Sequence, residues 1–315
     1  MSKKFCFFNK TVTRYGIVIP MTKLIIIGAG ITGLTLAREL IKSGQNNSLC
    51  ILEKSRGLGG RLATRRGEST RFDHGIPEIT PAELALLGIS RGDFPTEGAT
   101  SIAKHMARDL PVEKNTRAIE LRSRGSHWEV ITECGKSIIG ETIILTAPLP
   151  QALELLKKSA IAYAHELETI HYEMAIVALL EGSGLPTVHA ITRNPDSDFL
   201  SIVNEHEKGI SSQPAWTLTF SPEWSRTRFE WSEEDIRDAA LSALKRKWPS
   251  FAGSIEIKKW RYSKPIGHFP GSFFKVASKP DLYLAGDAFC KKPEETNFSN
   301  AIRSALELSS LLQNK

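Results

Sequence analysis

The sequence has few cysteines and no long hydrophobic run. Its 315 residues include four cysteines, none in a C-x-x-C pair: Cys6, Cys50, Cys134 and Cys290. This spacing argues against a disulfide framework or a zinc ribbon, and it predicts free thiols in a reducing compartment. No apolar segment approaches the roughly 18 residues that a membrane-spanning helix needs. We therefore expect a soluble, cytoplasmic protein without a membrane partner.

Several signatures of common functional classes are also missing. The sequence offers no Ser-His-Asp order, no paired catalytic carboxylates and no cluster of metal ligands, so we predict neither a hydrolase triad nor a metal site. The formal net charge is +6, but the basic residues are scattered and form no recognisable nucleic-acid module. Hydrophobic and charged fractions of 41% and 24% are ordinary for a folded chain, and this length allows two domains.

The strongest positive signal is a glycine pattern near the start of the chain. Four apolar residues, 24–27, predict a buried strand, and Gly28, Gly30 and Gly33 follow it in the spacing G-x-G-x-x-G. In dinucleotide-binding folds the first glycine permits a tight turn, the second lets the backbone approach a pyrophosphate, and the third lets helix and strand pack closely. We assign these three roles to the three glycines in that order.

A helix is predicted directly after the glycines. Apolar residues recur every three or four positions as far as Ile41, and Gly44 stands where a helix would end in the left-handed conformation. The first turn of this helix contains Ile31 and Thr32, whose backbone N–H groups lack partners within the helix. We therefore expect this turn to bind phosphate oxygens.

An acidic residue follows the second predicted strand. Leu49–Leu52 predicts the strand, and Glu53 lies 20 residues past Gly33, the distance at which a carboxylate can accept from both ribose hydroxyls. The neighbouring Lys54 would suit the 2′-phosphate of NADP, but Glu53 would repel that group. The pattern thus predicts a site for the ADP half of a dinucleotide, and it fits FAD as well as NAD.

A second pair of glycines favours FAD. The segment after Glu53 reads K-S-R-G-L-G-G-R, and glycines flanked by arginines suit another close backbone approach to a pyrophosphate. Its R-x-x-G-G-R portion resembles the flavin amine oxidase and desaturase superfamily. The resemblance implies that FAD is bound by residues of this segment, namely Lys54, Arg56, Gly59, Gly60 and Arg61.

The segment F-D-H-G at residues 72–75 narrows the resemblance to the bacterial renalase-like branch of the flavin oxidoreductases. In that branch the D-x-G segment passes by the flavin, which implies cofactor contacts for Asp73, His74 and Gly75. His74 either reaches the flavin edge or is a turn histidine with its bonds satisfied. The family continues with alanine, glutamine and two aromatic residues that would line the pocket, whereas this chain has Ile76, Pro77, Glu78 and Ile79.

The C-terminal part of the chain resembles the other end of the same cofactor site. A predicted strand, 281–285, ends in Gly286 and Asp287, and in flavoproteins of this kind such a carboxylate contacts the ribityl chain or the pyrophosphate. A final helix beginning at Asn297 or Phe298 would turn its positive end toward the N1–C2=O side of a reduced flavin.

Three further positions carry expectations from the family. The resemblance implies that Phe298 and Ser299 lie at the cofactor, and that the backbone of Val112 contacts the adenine. Family members commonly have a glycine near Asn300, where this chain has an amide side chain. Cys290 would permit a covalent flavin link, but a small buried residue is the simpler interpretation.

The middle of the chain predicts a second domain. Strand-like segments follow one another between residues 174 and 262, with a capped helix after Ser232, which favours an antiparallel sheet. Trp216, Trp260 and Tyr262 are candidates for the wall of a pocket over the flavin. Aromatic residues on strands are also common in cores, and both interpretations stay open.

The resemblance therefore implies an α/β protein. It would combine an FAD-binding Rossmann-like domain, of the two-dinucleotide-binding, p-hydroxybenzoate hydroxylase-like kind, with a smaller α+β substrate domain built on an antiparallel sheet. We expect a non-native or disordered extension before an alternative start at Met21. The expected boundaries are 1–20 for this extension, 21–80, 98–150 and 265–315 for the FAD-binding domain, and 81–97 and 151–264 for the substrate domain.

The activity implied by the resemblance is that of an FAD-dependent oxidase. A small reduced substrate of the dihydronicotinamide isomer type would give a hydride to flavin N5, and dioxygen would reoxidise the flavin to yield hydrogen peroxide. Two alternatives stay open: an amine oxidase or desaturase, with an apolar or aromatic tunnel, and a non-catalytic FAD-binding protein. An NAD-dependent dehydrogenase fits least, since it explains neither the second glycine pair nor the closing Gly-Asp.

Overall fold

The computed structural model describes residues 10–14, 17–44, 49–90, 97–186, 190–291 and 296–314. Its helices are α1 (Ile31–Lys42), α2 (Pro81–Leu86), α3 (Thr100–Met106), α4 (Leu149–Lys158), α5 (Pro222–Arg228), α6 (Glu233–Lys247) and α7 (Asn297–Gln313). The strands of the first half are β1 (Lys10–Arg14), β2 (Ile17–Ile27), β3 (Leu49–Leu52), β4 (Thr64–Arg66), β5 (Arg71–Asp73), β6 (Val112–Glu113), β7 (Ala118–Ser123), β8 (Trp128–Thr132) and β9 (Ser137–Leu145). Those of the second half are β10 (His171–Ser183), β11 (Ile191–Asp196), β12 (Phe199–Asn204), β13 (Ala215–Phe220), β14 (Ala252–Ile266), β15 (Phe269–Pro270), β16 (Phe273–Ser278), β17 (Asp281–Ala285) and β18 (Phe289–Cys290).

The first sheet is mostly parallel. It has nine strands, and its main path runs β16, β17, β9, β2, β3, β6, with β17, β9, β2, β3 and β6 parallel. Its central strands are continuous apolar runs because both of their faces are covered. Ile25 lies in the core cluster shared with α4, and Ile26 in the cluster shared with α1, α3 and α7, since successive side chains point to opposite faces.

Helix α1 ends as its sequence predicts. The backbone N–H of Ser43 donates to Glu39 O, and Gly44 has a φ of +87°, the left-handed conformation that glycine adopts without strain. The buried side of the helix packs against α7, whose Ile302, Ala305 and Leu308 belong to the same core cluster. The first and last helices of the chain thus lie side by side on one face of the sheet.

The second sheet carries the predicted substrate domain. Its order is β11, β12, β13, β10, β14, and all neighbours are antiparallel. One face packs against α5 and α6, and the opposite face, called the inner face below, turns toward β5. The side chain of Ser232 accepts from Asp235 N at 3.1 Å and starts α6 as predicted. Trp248 caps the end of that helix and stacks on Phe199, with ring centroids 5.4 Å apart.

Three segments differ from expectation. The apolar spacing from Ala99 to Leu110 predicts a helix over that whole range. The helix ends instead at Met106, because Asp109 has a φ of +66° and Pro111 follows closely. Residues 10–14 and 17–20, within the expected extension, pair as an antiparallel hairpin of β1 with β2. Residues 81–90 were expected in the substrate domain. They pack instead into the α1 and α7 cluster through Leu84, Leu87 and Ile89, because the Thr80–Glu83 capping box starts a short helix there.

The described part of the chain also bears on the other expectations. Cys50, Cys134 and Cys290 form no disulfide within the described residues, and Cys6 lies outside them. Among the described helices, none combines the length and hydropathy that a membrane crossing requires. Within the same residues, no group of three or more histidine, cysteine or acidic side chains is placed to hold a metal ion.

Candidate functional site

The turn between β2 and α1 needs its first and third glycines for different physical reasons. Gly28 has a φ of +117°, and its N–H donates to Leu52 O at 2.9 Å, which ties the turn to β3. A Cβ on Gly33 would lie 2.1 Å from the carbonyl oxygen of Gly28, so only glycine lets α1 sit this close to the turn. Gly30 is different, because a Cβ there would meet no atom within 4 Å. The open space beside Gly30 lies where the pattern predicts a pyrophosphate.

The start of α1 offers donors rather than a side-chain cap. Gly30 is the N-cap residue and has no side chain that could accept from the first-turn N–H groups, and that turn contains no acidic residue. Ile31, Thr32 and Gly33 form the turn and are buried. Their N–H groups and the helix dipole therefore present partial positive charge to an anion at Gly30.

Glu53 is held at the end of β3 beside the same turn. It is 9% exposed, and its two carboxylate oxygens accept from Ala29 N at 2.9 Å and Ser55 N at 2.8 Å. Each oxygen keeps a further lone pair, so the carboxylate can still accept from hydroxyl groups. Val112 pairs with Ile51, two residues before Glu53, because β6 pairs with β3, and Glu53 N donates to Glu113 O at 2.9 Å.

The second glycine pair lies directly against the first motif. Gly59 N donates to Ala29 O at 2.9 Å, and Gly30 and Gly59 form a parallel bridge. Gly59 and Gly60 have φ values of +101° and +57°, and a Cβ on Gly60 would lie 3.7 Å from the Cα of Gly30. Both glycine segments therefore line one cradle. The basic residues predicted to help them, Lys54 and Arg56, are exposed, and Lys54 donates to the side chain of Gln151 at 3.1 Å.

Arg61 joins this cradle to the far end of the chain. Its guanidinium donates to Asp287 Oδ2 and to Ser263 O, both at 2.6 Å. Tyr172 donates to the other oxygen of Asp287 at 2.8 Å. Burial alone would lower the pKa of Arg61, but the charges of Asp287 and Tyr172 and the hydrogen bond to Asp287 together raise that pKa. Burial and the same carboxylate raise the pKa of Tyr172 well above its usual value. Gly286, with a φ of +148°, leaves open space beside Asp287.

The start of α7 is already capped by the protein. Thr296 accepts from Ser299 N at 3.0 Å, and the hydroxyl of Thr296 donates to the buried carboxylate of Glu83. That negative charge offsets part of the positive end of the helix, which leaves less of it for a ligand than the sequence predicts. Phe298 packs into the core cluster of α1, and Asn300 is buried and accepts from Cys290 Sγ at 3.1 Å.

A cavity of about 300 Å³ lies between segment 73–77 and the inner face of the second sheet. The indole of Trp260 donates to His74 O at 2.7 Å, and the two rings lie 5.4 Å apart. Burial, together with the charge of Lys258, lowers the pKa of His74 to about 4, so its ring is neutral at pH 7. Its buried Nδ1 has no hydrogen-bond partner among the residues that the structure describes. Polar side chains from the sheet line the rest: Arg193, Asn194, Ser201, Thr217, Thr219 and Lys264.

Comparison with known proteins agrees with this arrangement. Residues 26–83 match the family described as an NAD(P)-binding Rossmann-like domain, and this range contains both glycine segments and Glu53. Renalase of Mus musculus is 23% identical, over 93% of this chain and 99% of its own length. The chain is a distant homologue of renalase.

Solved structures show the same fold in other oxidoreductases. A proposed protoporphyrinogen oxidase from Exiguobacterium sp. 255-15 is 14% identical with a TM-score of 0.68, and the likeness covers 93% of this chain and 99% of that one. Putrescine oxidase bound to putrescine is 11% identical with a TM-score of 0.61, over 94% and 99% of the two chains. The expected fold class and oxidoreductase character of this renalase homologue are thereby confirmed.

The aromatic candidates divide between the cavity and the core. Trp260 lines the cavity together with His74 and Gly75. Trp216 does not: it is 3% exposed, lies on the sheet face that packs against α6, and donates to Pro186 O at 2.9 Å. Alternation along a strand explains the correction, because Trp216 lies next to the cavity-lining Thr217 and so points the other way. Tyr262 packs edge-on against Tyr172, with ring centroids 5.9 Å apart.

The motif implies that Asp73 contacts the flavin, but its carboxylate is surrounded by hydrogen-bond donors of the protein. Its carboxylate is 1% exposed and accepts from Thr64 Oγ1 at 2.6 Å, Ala99 N at 2.8 Å and Lys208 Nζ at 2.9 Å. Nearby, the carboxylate of Glu205 accepts from the backbone N–H of Asp73. The sequence analysis missed Glu205 and Lys208, as well as Tyr172. E-x-x-K after a strand is typical of an exposed turn, and Tyr172 meets Asp287 across 115 residues.

Proposed function

We propose that the protein is an FAD-dependent oxidoreductase of the renalase type, which oxidises a small dihydronicotinamide isomer. The observation that carries this proposal is the meeting of the two chain ends. Gly30 bridges Gly59, and Arg61, two residues further on, pairs with Asp287 at 2.6 Å. A ligand with a pyrophosphate in its middle would contact Gly30 and Gly59 through its phosphates. The chain that leads from the pyrophosphate to its reactive ring would contact Arg61 and Asp287. FAD has that form, and it accounts for both glycine segments.

The residues present suit each part of FAD in turn. The open space at Gly30 and the donors of Ile31, Thr32 and Gly33 would hold the pyrophosphate. Glu53 would accept from the ribose hydroxyls, and the backbone at Val112 would contact the adenine. Toward the other end, the ligand would meet the second glycine segment and the closing Gly-Asp, namely Gly59, Gly60, Arg61, Gly286 and Asp287. A bound flavin would supply the hydride acceptor at N5, which dioxygen would reoxidise with formation of hydrogen peroxide.

The cavity beside His74 is the proposed substrate site. Loss of a hydride from a dihydronicotinamide isomer restores an aromatic ring, so the reaction needs no strong general base. The neutral ring of His74 and the indole of Trp260 would orient a flat substrate, and the hydroxyls of Ser201, Thr217 and Thr219 would hydrogen-bond to its polar groups. Positioning of the substrate is therefore the main contribution of these side chains.

An amine oxidase is the second candidate, because putrescine oxidase shares the fold. The cavity lining disfavours it: Lys264 lies on the wall, Arg193 lies there paired with Glu78 at 2.6 Å, and the lining carboxylate of Asp73 is paired with Lys208. A protonated amine would meet positive charge there without a free acidic partner on that wall. The preferred substrate is therefore neutral or anionic.

The cofactor proposal is tested by purification. The wild-type protein should be yellow and absorb in the flavin region, and Glu53→Ala should bind FAD about 10- to 150-fold more weakly, because a charged hydrogen-bond acceptor is lost. Glu39→Ala, which removes a half-buried carboxylate that α1 pairs with Lys42, is the matched control and should retain the wild-type flavin content. Equal flavin content in Glu53→Ala would contradict the ribose contact, and a colourless wild-type protein that cannot be reconstituted would contradict FAD.

The substrate proposal is tested by anaerobic mixing. Dihydronicotinamide isomers should bleach the flavin absorption, and readmission of air should restore it and yield hydrogen peroxide. A panel of amines serves as the competing set. Bleaching by amines alone would favour the amine oxidase, and bleaching by neither class would favour a non-catalytic flavin protein.

A further inference from the structure

One wall of the cavity belongs to the first domain but is held by the second. Asp73 ends β5, and His74 and Gly75 follow it along the cavity wall. The backbone N–H of Asp73 donates to Glu205 Oε1 at 3.0 Å, and Lys208 Nζ donates to Asp73 Oδ2 at 2.9 Å. Both contacts come from the turn after β12, in the substrate domain. The position of this wall therefore depends on a cluster 132 residues further along the chain.

The same cluster also reaches the opposite wall. Thr217, which lines the cavity from β13, donates its hydroxyl to Glu205 Oε1 at 2.5 Å. On the far side of the cluster, Asp73 Oδ1 accepts from Thr64 Oγ1 and Ala99 N, both in the first domain. One carboxylate oxygen of Glu205 thus joins the two walls of the cavity.

Burying the charged groups of this cluster costs free energy. Glu205 is 0% exposed and Asp73 is 1% exposed, and Lys208 is the cation near both. Glu205 Oε2 makes no hydrogen bond among the described residues and lies 3.7 Å from Lys208 Nζ. Burial raises the pKa of Glu205 to about 7, Lys208 lowers it in part, and Asp73 raises it further. Such a buried arrangement stabilises a fold poorly, so a role in fixing geometry is the better explanation.

We propose that Glu205 and Lys208 are positioning residues, which fix the backbone at Asp73 so that the ring of His74 lies against Trp260 in the cavity. The inference rests on the proposed function only in that the substrate occupies this cavity. Neither residue needs to touch the substrate, because each acts through Asp73. Loss of either anchor frees segment 73–75 and exposes the His74 ring to water.

The titration of His74, followed by NMR in histidine-labelled protein, tests this proposal. In the wild-type protein His74 should titrate near pH 4, and a His74→Gln variant identifies its signal among the eight histidines. Glu205→Ala should raise the pKa of His74 by about one unit or more, because desolvation is lost. Because the pKa of Glu205 is about 7, this residue is protonated in the pH range where His74 titrates. Its removal therefore takes away no charge, and a rise in the pKa of His74 reports release of the segment. The charged groups that face His74 stay unchanged: Lys258, Asp73, Glu256 and Arg65.

Three variants separate positioning from general destabilisation. Glu205→Gln keeps a carbonyl acceptor for Asp73 N and the Thr217 hydroxyl, and should restore the low pKa of His74. Glu207→Ala removes an exposed carboxylate from the same turn and should leave His74 unchanged. Lys208→Met should raise the pKa of His74 as Glu205→Ala does.

Activity provides a second readout. With dihydronicotinamide isomers, Glu205→Ala should lose about tenfold in kcat/KM, mainly through KM, at unchanged flavin content. An unchanged His74 titration in a folded Glu205→Ala protein would overturn the proposal, as would a Gln variant that behaves like Ala. If Glu205→Ala does not fold, Glu205→Ser, whose side chain is too short to reach Asp73 N, decides by the same titration. A protein without flavin would refute the proposed function and leave the titration result valid.

Discussion

The cradle at the two glycine segments and the cavity beside His74 are built by different means. The cradle is made mostly of backbone from one continuous stretch, 28–61, and Glu53 bonds to atoms 24 and 2 residues away. The cavity is made of side chains from five strands and a connecting segment, and its anchor spans 132 residues. Backbone geometry set by glycine leaves a clear pattern in a sequence, whereas contacts between distant side chains do not.

The same contrast predicts different tolerance to substitution. In the cradle, the conformation itself fails when a glycine gains a side chain, since turn and helix are in van der Waals contact. In the cavity, a substitution leaves the second sheet in place and changes the position of one cavity wall relative to the other. We expect the largest effects on folding from the cradle, and smaller effects, confined to the ligand, from the cavity.

The largest expected effect comes from Gly33→Ala. Its new Cβ would lie 2.1 Å from Gly28 O, and α1 must move away from the turn, which should cost about 3 kcal/mol or more of unfolding free energy. Denaturant unfolding measures this loss. Gly30→Ala is the matched variant, because Gly30 has a φ of −75° and open space beside it. It should unfold within about 0.5 kcal/mol of wild type and yet lose flavin.

The two glycine variants also test the role that is assigned to each glycine. If Gly30→Ala binds flavin as tightly as wild type, the close backbone approach lies elsewhere. If Gly33→Ala is as stable as wild type, then α1 adjusts to the extra methyl group and the third glycine is not required for packing.

The second largest effect is expected where the two chain ends meet. Asp287→Ala leaves the guanidinium of Arg61 and the hydroxyl of Tyr172 without their acceptor, and it should cost about 2–3 kcal/mol. The estimate is at the low end for a buried pair because the Arg61 side chain is 23% exposed. Thermal unfolding and flavin retention should both fall, with Asp287→Asn in between. Unchanged flavin retention in Asp287→Ala would remove this carboxylate from the cofactor site.

The sequence predicts the cradle well for a physical reason. The strands β2, β3 and β17, the helix α1 and its end at Gly44 follow from apolar runs, helical spacing and glycine conformation, all of which are local. The domain boundaries stay predictions, apart from residues 81–90, whose packing against α7 shows the assignment to be wrong. A short capped helix does not reveal which core it will join.

The cavity is predicted poorly for the opposite reason. Trp216 and Trp260 look alike as strand aromatics, and only the register of the strands tells which one points inward. Glu205 and Lys208 resemble an exposed turn until Asp73 is brought beside them. Such contacts depend on how two domains meet, which no short pattern encodes.

A smaller effect, dependent on pH, is expected from Glu205. Its folded pKa, about 7, lies above the ordinary value of 4.5, so its contribution to stability is complete below pH 4.5 and is lost as the pH rises to about 7. Glu205→Gln cannot ionise. Its unfolding free energy relative to wild type should therefore rise by about 1–3 kcal/mol across that window and then level off. Glu207→Gln, the exposed neighbour, should show no such trend, and a flat difference for Glu205→Gln would contradict a raised pKa.

The smallest effect separates the two tryptophans. Each indole donates to a backbone carbonyl, Trp260 to His74 O at 2.7 Å and Trp216 to Pro186 O at 2.9 Å, so Trp→Phe removes one comparable hydrogen bond in each case. Either change should cost about 0.5–1.5 kcal/mol. In Trp260→Phe the loss should raise KM for the flavin-bleaching substrate a few fold, because the cavity wall shifts, whereas in Trp216→Phe it should lower only the unfolding free energy. Equal changes in KM for both variants would mean that the substrate lies outside the cavity, since only one of these rings borders it.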